Sequence, residues 1–186
     1  MARIGALALQ GGYDAHLKVV ERLGHEGVRV REAAQLDTLD GLILPGGEST
    51  THLKLIDRFG LEQALVDFVA SGKPVLATCA GLILSAQSVR DPEQRSFGWL
   101  DVTVSRNAWG RQVHSFEAST DETVAGLEGL PLVFIRAPRL QRVGDDVEVL
   151  ARIDGEPIMV RQGNVVGASF HPELTDDVRV HSLVFS

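Results

Sequence analysis

The chain carries a single cysteine, Cys79, in a setting that suits a nucleophile. It follows the apolar run Pro74-Val75-Leu76-Ala77-Thr78 and precedes Ala80-Gly81-Leu82-Ile83-Leu84-Ser85-Ala86, which reads as a helix start. A nucleophile between a parallel strand and a helix sits on a tight turn at the carboxyl edge of a sheet, where ligands bind in such folds. The helix amino terminus offers unpaired N–H groups and the positive end of a dipole. Both favour a thiolate and a developing oxyanion. Small residues at Ala77, Ala80 and Gly81 permit the bend. The competing reading is a small apolar core residue, as free cysteines commonly are. The turn alone leaves both open.

A cysteine nucleophile needs a base, and the base needs a partner that orients it. Among six histidines, His171 stands apart. It closes the apolar run Val165-Val166-Gly167-Ala168-Ser169-Phe170, and Pro172-Glu173 follow it. Pro172 has no N–H and a fixed φ, so it stops the strand and stiffens the turn. Glu173 can face the same side as His171 and accept its ring N–H, leaving the other nitrogen for the thiol. The alternative is a strand-end histidine with a solvated glutamate, and Cys79 tips the balance toward a Cys–His–Glu triad. The remaining histidines have ordinary surroundings. His16 and His25 are placed on or after a polar helix face, His52 in a helix start, His114 in a strand and His181 near the carboxyl end. Each is read as structural or solvated.

A third feature is Leu44-Pro45-Gly46-Gly47-Glu48-Ser49-Thr50, two glycines after a buried strand and before Ser/Thr helix caps. Such a turn exposes backbone N–H groups at the same sheet edge, although a Gly-Gly pair alone is weak evidence. No Gly-Lys-Ser/Thr follows, so it is not a P-loop. The first strand is not followed by G-x-G-x-x-G, which argues against a dinucleotide site.

These residues need a scaffold, and the patterning supplies one. In the first half, short apolar runs (Ile4 to Leu9, Val28 to Val30, Gly41 to Leu44, Pro74 to Thr78) alternate with amphipathic stretches. Leu17, Val20 and Leu23 recur near helical spacing, and Leu61, Ala64, Leu65, Phe68 and Val69 follow it closely. All-apolar strands separated by helices imply a parallel sheet covered on both faces. The second half reads as strands at hairpin spacing: Val102 to Ser105, Val113 to Phe116, Leu132 to Ile135, Val147 to Ile153, Pro157 to Arg161 and Val165 to Phe170. The expected fold is therefore α/β, with a mostly parallel central sheet, helices on both faces and antiparallel additions in the C-terminal half. No repeat or linker interrupts it, so residues 1–186 are expected to form a single domain.

Composition narrows the function classes. Eighteen Lys and Arg against 25 Asp and Glu give a net charge of −7, which argues against nucleic acid or an anionic membrane as partner. No apolar run approaches the roughly 18 residues of a membrane span. One cysteine excludes an internal disulfide and a multi-cysteine metal site. A cytoplasmic protein is expected.

Together, Leu7-Ala8-Leu9-Gln10-Gly11, the Leu44 to Thr50 segment, Thr78-Cys79-Ala80-Gly81-Leu82-Ile83 and Ser169-Phe170-His171-Pro172-Glu173-Leu174 resemble class I glutamine amidotransferase domains. More narrowly they resemble the glutaminase subunits of pyridoxal 5'-phosphate synthase complexes, helped by Arg106-Asn107-Ala108-Trp109-Gly110-Arg111-Gln112 and Phe134-Ile135-Arg136-Ala137-Pro138. The resemblance covers essentially the whole chain and implies a flavodoxin-like fold. It also implies hydrolysis of L-glutamine to glutamate and ammonia by Cys79, His171 and Glu173. Glutamine would be held by Gly47, Glu48, Ser49, Arg106, Ile135 and Arg136, and the oxyanion by Ala80 and the Gly46-Gly47 loop. The implied partner is a (β/α)-barrel synthase subunit that consumes the ammonia to build pyridoxal 5'-phosphate, with the glycine-loop donor completed on docking. No metal or organic cofactor is implied.

One departure stands out: Ala77 occupies a position where the family usually has glycine, and a positive φ there would strain the elbow. Two other readings share the residues. One is the glutaminase of another synthase, such as that of histidine biosynthesis, and the other is a non-catalytic regulatory protein on the same fold. A cysteine hydrolase or chaperone with an elbow cysteine leaves Glu173 and the Gly46 to Thr50 segment unexplained.

Overall fold

Apolar side chains on the central strands divide between two cores, as the period of two in a strand requires. A computed structural model describes residues 1–106, 116–120 and 122–186. The first half alternates strand and helix: β1 (Arg3–Leu7), α1 (Tyr13–Arg22), β2 (Glu26–Val30), α2 (Ala33–Leu36), β3 (Gly41–Leu44), α3 (Ser49–Arg58), α4 (Glu62–Ala70), β4 (Val75–Thr78) and α5 (Ala80–Ser85). Strands dominate the second half. They are β5 (Ala86–Arg90), β6 (Leu100–Ser105), β7 (Phe116–Ser119), β8 (Glu122–Thr123), β9 (Pro131–Phe134), β10 (Arg139–Val143), β11 (Glu148–Ile153), β12 (Glu156–Gln162) and β13 (Val165–Ala168), with α6 (Arg179–Phe185) last.

The main sheet has the order β2-β1-β3-β4-β13-β12-β11-β8. Its first five strands are mutually parallel, and β12, β11 and β8 join antiparallel. On one face, Leu42, Leu44, Val75 and Ala77 pack with Leu53 and Ile56 of α3, Leu65 of α4 and Leu61 just before α4. On the other, Ile4, Ile43 and Leu76 pack with Leu17 and Val20 of α1, Phe134, Phe170, and Val180 and Phe185 around α6. Thr78, two residues beyond Leu76, therefore points toward α1. That placement bears on the site below.

The expected α/β fold is present. The antiparallel additions, however, do not all extend one sheet: β10, β6 and β5 form a separate three-stranded sheet, and β7 pairs with β9 in a two-stranded one. Two strands are shorter than their apolar runs. β1 stops at Leu7, and Ala8 and Leu9 enter the turn toward Gln10–Gly12. β13 stops at Ala168, beyond which the Ser169 N–H still bonds the Ile158 carbonyl at 2.9 Å. Of the strand expected from Val113 to Phe116 only Phe116 falls among the described residues, in β7; residues 107–115, including His114, lie outside them.

Candidate active site

Consecutive parallel strands deliver the site from their carboxyl ends. Since β1 lies between β2 and β3, the chain direction across the sheet reverses there, and such a switch point opens a crevice between the loops after adjacent strands. The Gln10–Gly12 turn follows β1, Pro45–Glu48 follows β3, Cys79 follows β4 and His171 comes three residues after β13. These loops line a cleft of about 470 Å³ that includes Gly46, Gly47, Glu48, Ser49, Cys79, Arg106, Ile135, Arg136, His171 and Glu173. All the residues named from sequence border it except Ala80, which is buried behind Cys79.

Cys79 occupies φ 48°, ψ −102°, a region L-residues rarely adopt, which costs about 1–3 kcal/mol and persists only where the surroundings impose it. Its N–H bonds the Ala168 carbonyl at 2.8 Å, and its carbonyl accepts the Ile83 N–H at 3.1 Å. The strain falls on the nucleophile itself. Ala77 is an ordinary buried strand residue, paired with Leu44 and Gly167, and is absent from the positive-φ positions. The strain that a positive φ at Ala77 would have brought does not arise. Close packing is instead required at Gly81, where a Cβ would run into the Leu44 carbonyl.

His171 Nδ1 lies 2.7 Å from Glu173 Oε1, and its backbone N–H is fixed to the Val133 carbonyl at 2.8 Å. A Cβ on Gly46 would stand 2.5 Å from His171 Cε1 and 3.5 Å from Cys79 Cβ, so the glycine lets the loop lie against both. Burial alone would push the His171 pKa down. Its hydrogen bonds to Cys79 and Glu173, with the carboxylate's charge, outweigh burial and raise it to about 10. Burial likewise favours a neutral Glu173, but His16 and His171 beside it hold the carboxyl below its ordinary value. The Cys79 sulfur has the Ile135 carbonyl at 3.9 Å.

The glycine loop is braced from β1. Gly12 N–H donates to the Gly46 carbonyl at 3.1 Å, and Glu48 N–H donates to Gln10 Oε1 at 2.9 Å. Gly11 has φ +87°, and a Cβ there would meet the Gly46 carbonyl. Glu48 caps α3, accepting from Thr50 N at 3.3 Å and Thr50 Oγ1 at 2.9 Å, and it pairs with Arg106 Nη2 at 2.8 Å. Burial would raise its pKa, but Thr50 and the two arginines, Arg106 and Arg136, lower it. Arg136 sits at φ 44° beside the cleft, another left-handed non-glycine conformation held at a binding surface.

The profile of the SNO glutamine amidotransferase family matches residues 6–186. The chain belongs to that family. It is 51% identical to the pyridoxal 5'-phosphate synthase subunit PdxT of Koribacter versatilis, covering 97% of this chain and 93% of that one. It is 45% identical to the PdxT subunit of Thermotoga maritima, covering 96% and 95%. A crystal structure described as a glutamine amidotransferase superposes with a TM-score of 0.90 at 46% identity, covering 97% of this chain and 96% of the other. A putative GMP synthase component from Thermoplasma acidophilum, 18% identical with a TM-score of 0.71 over 100% of this chain and 92% of that one, shares the fold.

The sequence reading missed the back of this amidotransferase site. His16 and His181 are both fully buried, so of the structural and solvated readings the structural one holds, and His16 does not lie on a polar helix face. His16 Nε2 lies 3.4 Å from Glu173 Oε2 and 3.1 Å from Thr78 Oγ1, and its Nδ1 lies 2.8 Å from His181 Nε2. A signal was available: His16 shares the helical stripe of Tyr13, Leu17 and Val20, the inward face of α1. His52 is buried too, with Nε2 2.9 Å from the Gln10 carbonyl. A larger hollow of about 1310 Å³ adjoins Glu173 along α1, and neither Cys79 nor His171 lines it. Among the described residues, no helix is long and apolar enough to cross a membrane.

Proposed function

We propose that residues 1–186 form one glutaminase domain that hydrolyses L-glutamine through Cys79, His171 and Glu173 and hands the ammonia to a (β/α)-barrel synthase subunit making pyridoxal 5'-phosphate. The observation that carries this reading is the linked sulfur, imidazole and carboxylate in one cleft of a chain from this family.

Glutamine enters with its side-chain amide carbon over Cys79. Arg106 and Arg136 receive the α-carboxylate, since a guanidinium matches it with paired donors, and Glu48 receives the α-ammonium. Gly47, Ser49 and Ile135 complete the pocket. His171 takes the thiol proton, and with its pKa raised to about 10 it keeps that proton at neutral pH, so the sulfur attacks the amide carbon from an ion pair with the imidazolium. The negative oxygen of the tetrahedral intermediate faces the Ala80 N–H, which as the first residue of α5 has no intrahelical acceptor, and the Gly46-Gly47 loop. His171 returns the proton to the departing nitrogen, and ammonia leaves. Water, deprotonated by the same imidazole, then cleaves the thioester to glutamate.

Free ammonia in neutral water is mostly protonated and no longer nucleophilic, so the reaction is useful only beside an acceptor. That relatives are named as pyridoxal 5'-phosphate synthase subunits supports a synthase of that kind as the acceptor. The place of action is the cytoplasm, consistent with a lone thiol that must stay reduced. The test is glutamate and ammonia release by the chain alone, with the synthase subunit, and with Cys79→Ala in the same mixture. Activity that rises with the synthase and disappears in the variant supports the reading. Absence of activity in a mixture where the two subunits bind each other contradicts it.

A further inference from the structure

Two fully buried histidines that take no part in the chemistry stand behind the triad, and their bonding fixes where their protons are. Glu173 Oε1 bonds His171, while Oε2, also buried, has no hydrogen-bond partner among the described residues. His16 Nε2 from α1 faces it at 3.4 Å and bonds Thr78 Oγ1 at 3.1 Å. On the far side of the ring, His16 Nδ1 meets His181 Nε2 of α6 at 2.8 Å. His181 Nδ1 has no partner among the described residues.

A carboxylate only accepts, so a proton on His16 Nε2 faces Glu173 favourably and a lone pair there would repel it. With the proton on Nε2, His16 Nδ1 accepts from His181 Nε2–H, and the unpartnered His181 Nδ1 is a bare acceptor. The opposite arrangement sets a lone pair against the buried carboxylate and strands a buried N–H donor on His181, two penalties instead of one.

We propose that His16 is a positioning residue for the triad: its neutral ring turns an Nε2–H toward Glu173 Oε2, and His181 holds it in that tautomer. Glu173 is thereby bonded to His171 at Oε1 and faced by the His16 N–H at Oε2, which favours the ionised carboxylate and keeps Oε1 on His171. His16 must remain neutral to do this, because an imidazolium there would compete with His171 for the same charge. Burial is the largest influence on both rings and disfavours their protonated forms, reinforced at His16 by His171 and at His181 by His16 and Arg22, with Glu173 opposing in each case. The inference rests on reading Cys79, His171 and Glu173 as the glutaminase triad.

Histidine side-chain ¹⁵N spectra of the intact chain test the tautomer without any assay. The expected result is His16 protonated at Nε2, bare at Nδ1 and unchanged between about pH 5.5 and about pH 9. A proton on Nδ1, or titration within that range, overturns the proposal. The second arm is the pH profile of glutamine hydrolysis with the synthase subunit present. His16→Leu should lower kcat about tenfold or more, leave KM unchanged and move the acid limb upward, while His16→Gln, which keeps an N–H near Glu173, should recover most of the loss. Equal losses in both variants with an unmoved profile would mean that His16 only fills space, and would overturn it. If His16→Leu does not fold, the spectra of the native chain still decide. Failure of the native chain to hydrolyse glutamine would instead sink the triad, a separate result that leaves the tautomer measurement standing.

Discussion

At the scale of single residues, chemistry was legible wherever it depended on residue type and immediate neighbours. Cys79 after an apolar strand and His171-Pro172-Glu173 after another were sufficient to place the triad in one cleft. What sequence could not give is which side chains close the site from behind, because His16 and His181 lie 165 positions apart and meet only through the packing of α1 against α6. The concern over Ala77 likewise needed the backbone, since the positive φ falls two residues later. Two predictions belong here. Cys79→Ser should reduce glutamine hydrolysis by at least about a thousandfold, measured as glutamate release with the synthase present, while thermal unfolding stays close to native. Arg106→Ala should raise KM for glutamine roughly ten- to a hundredfold, about what a charge-assisted hydrogen bond contributes, with a smaller effect on kcat. An unchanged KM would show that Arg106 serves only its pair with Glu48.

At the scale of elements, periodicity located the central parallel strands and the helices α1 and α4 to within a few residues. It did not separate the antiparallel part into three sheets, because strand partners in the second half are set by tertiary contacts rather than local pattern. Strands β5 and β10 carry exposed charged residues and no strong apolar run, so neither was visible in advance. The junction of β3, β4 and α5 yields a sharp test. Gly81 lies where a side chain would strike the Leu44 carbonyl, so Gly81→Ala must push α5 away from β3 or distort the elbow. Denaturant unfolding should show a loss of about 1–3 kcal/mol, with hydrolysis falling further because the elbow carries Cys79. Ala77→Gly, by contrast, relieves no strain. It should lower stability by up to about 1 kcal/mol through backbone entropy.

At the scale of the molecule, His16, His52 and His181 on one side and His171 on the other make opposite statements about pH. The folded-state pKa values of His16, His52 and His181 are all lowered by burial, for His181 to about 3. Below the unfolded value near 6.5 the unfolded chain therefore binds protons that the folded chain refuses, and stability falls with acid by about 1.4 kcal/mol per pH unit for each such histidine. His171 acts in the other direction. Raised to about 10, it contributes stability that is complete below about 6.5 and lost as pH climbs toward 10. Glu173, lowered, adds a contribution lost only at more acid pH. Urea unfolding should accordingly give a maximum near about pH 6.5, and His181→Leu should flatten the acid side by about one proton. A stability that rises steadily from about pH 7 to about pH 5 would contradict the buried neutral histidines.

The central claim is that Cys79 is a nucleophile whose attack depends on His171. Mass spectrometry after treatment with an electrophilic glutamine analogue, synthase present, tests it most directly. The account predicts one adduct per chain, on Cys79, formed rapidly in the native protein and scarcely at all in His171→Asn. An analogue that leaves Cys79 unmodified while glutamine is still hydrolysed, or that labels His171→Asn just as fast, would contradict it.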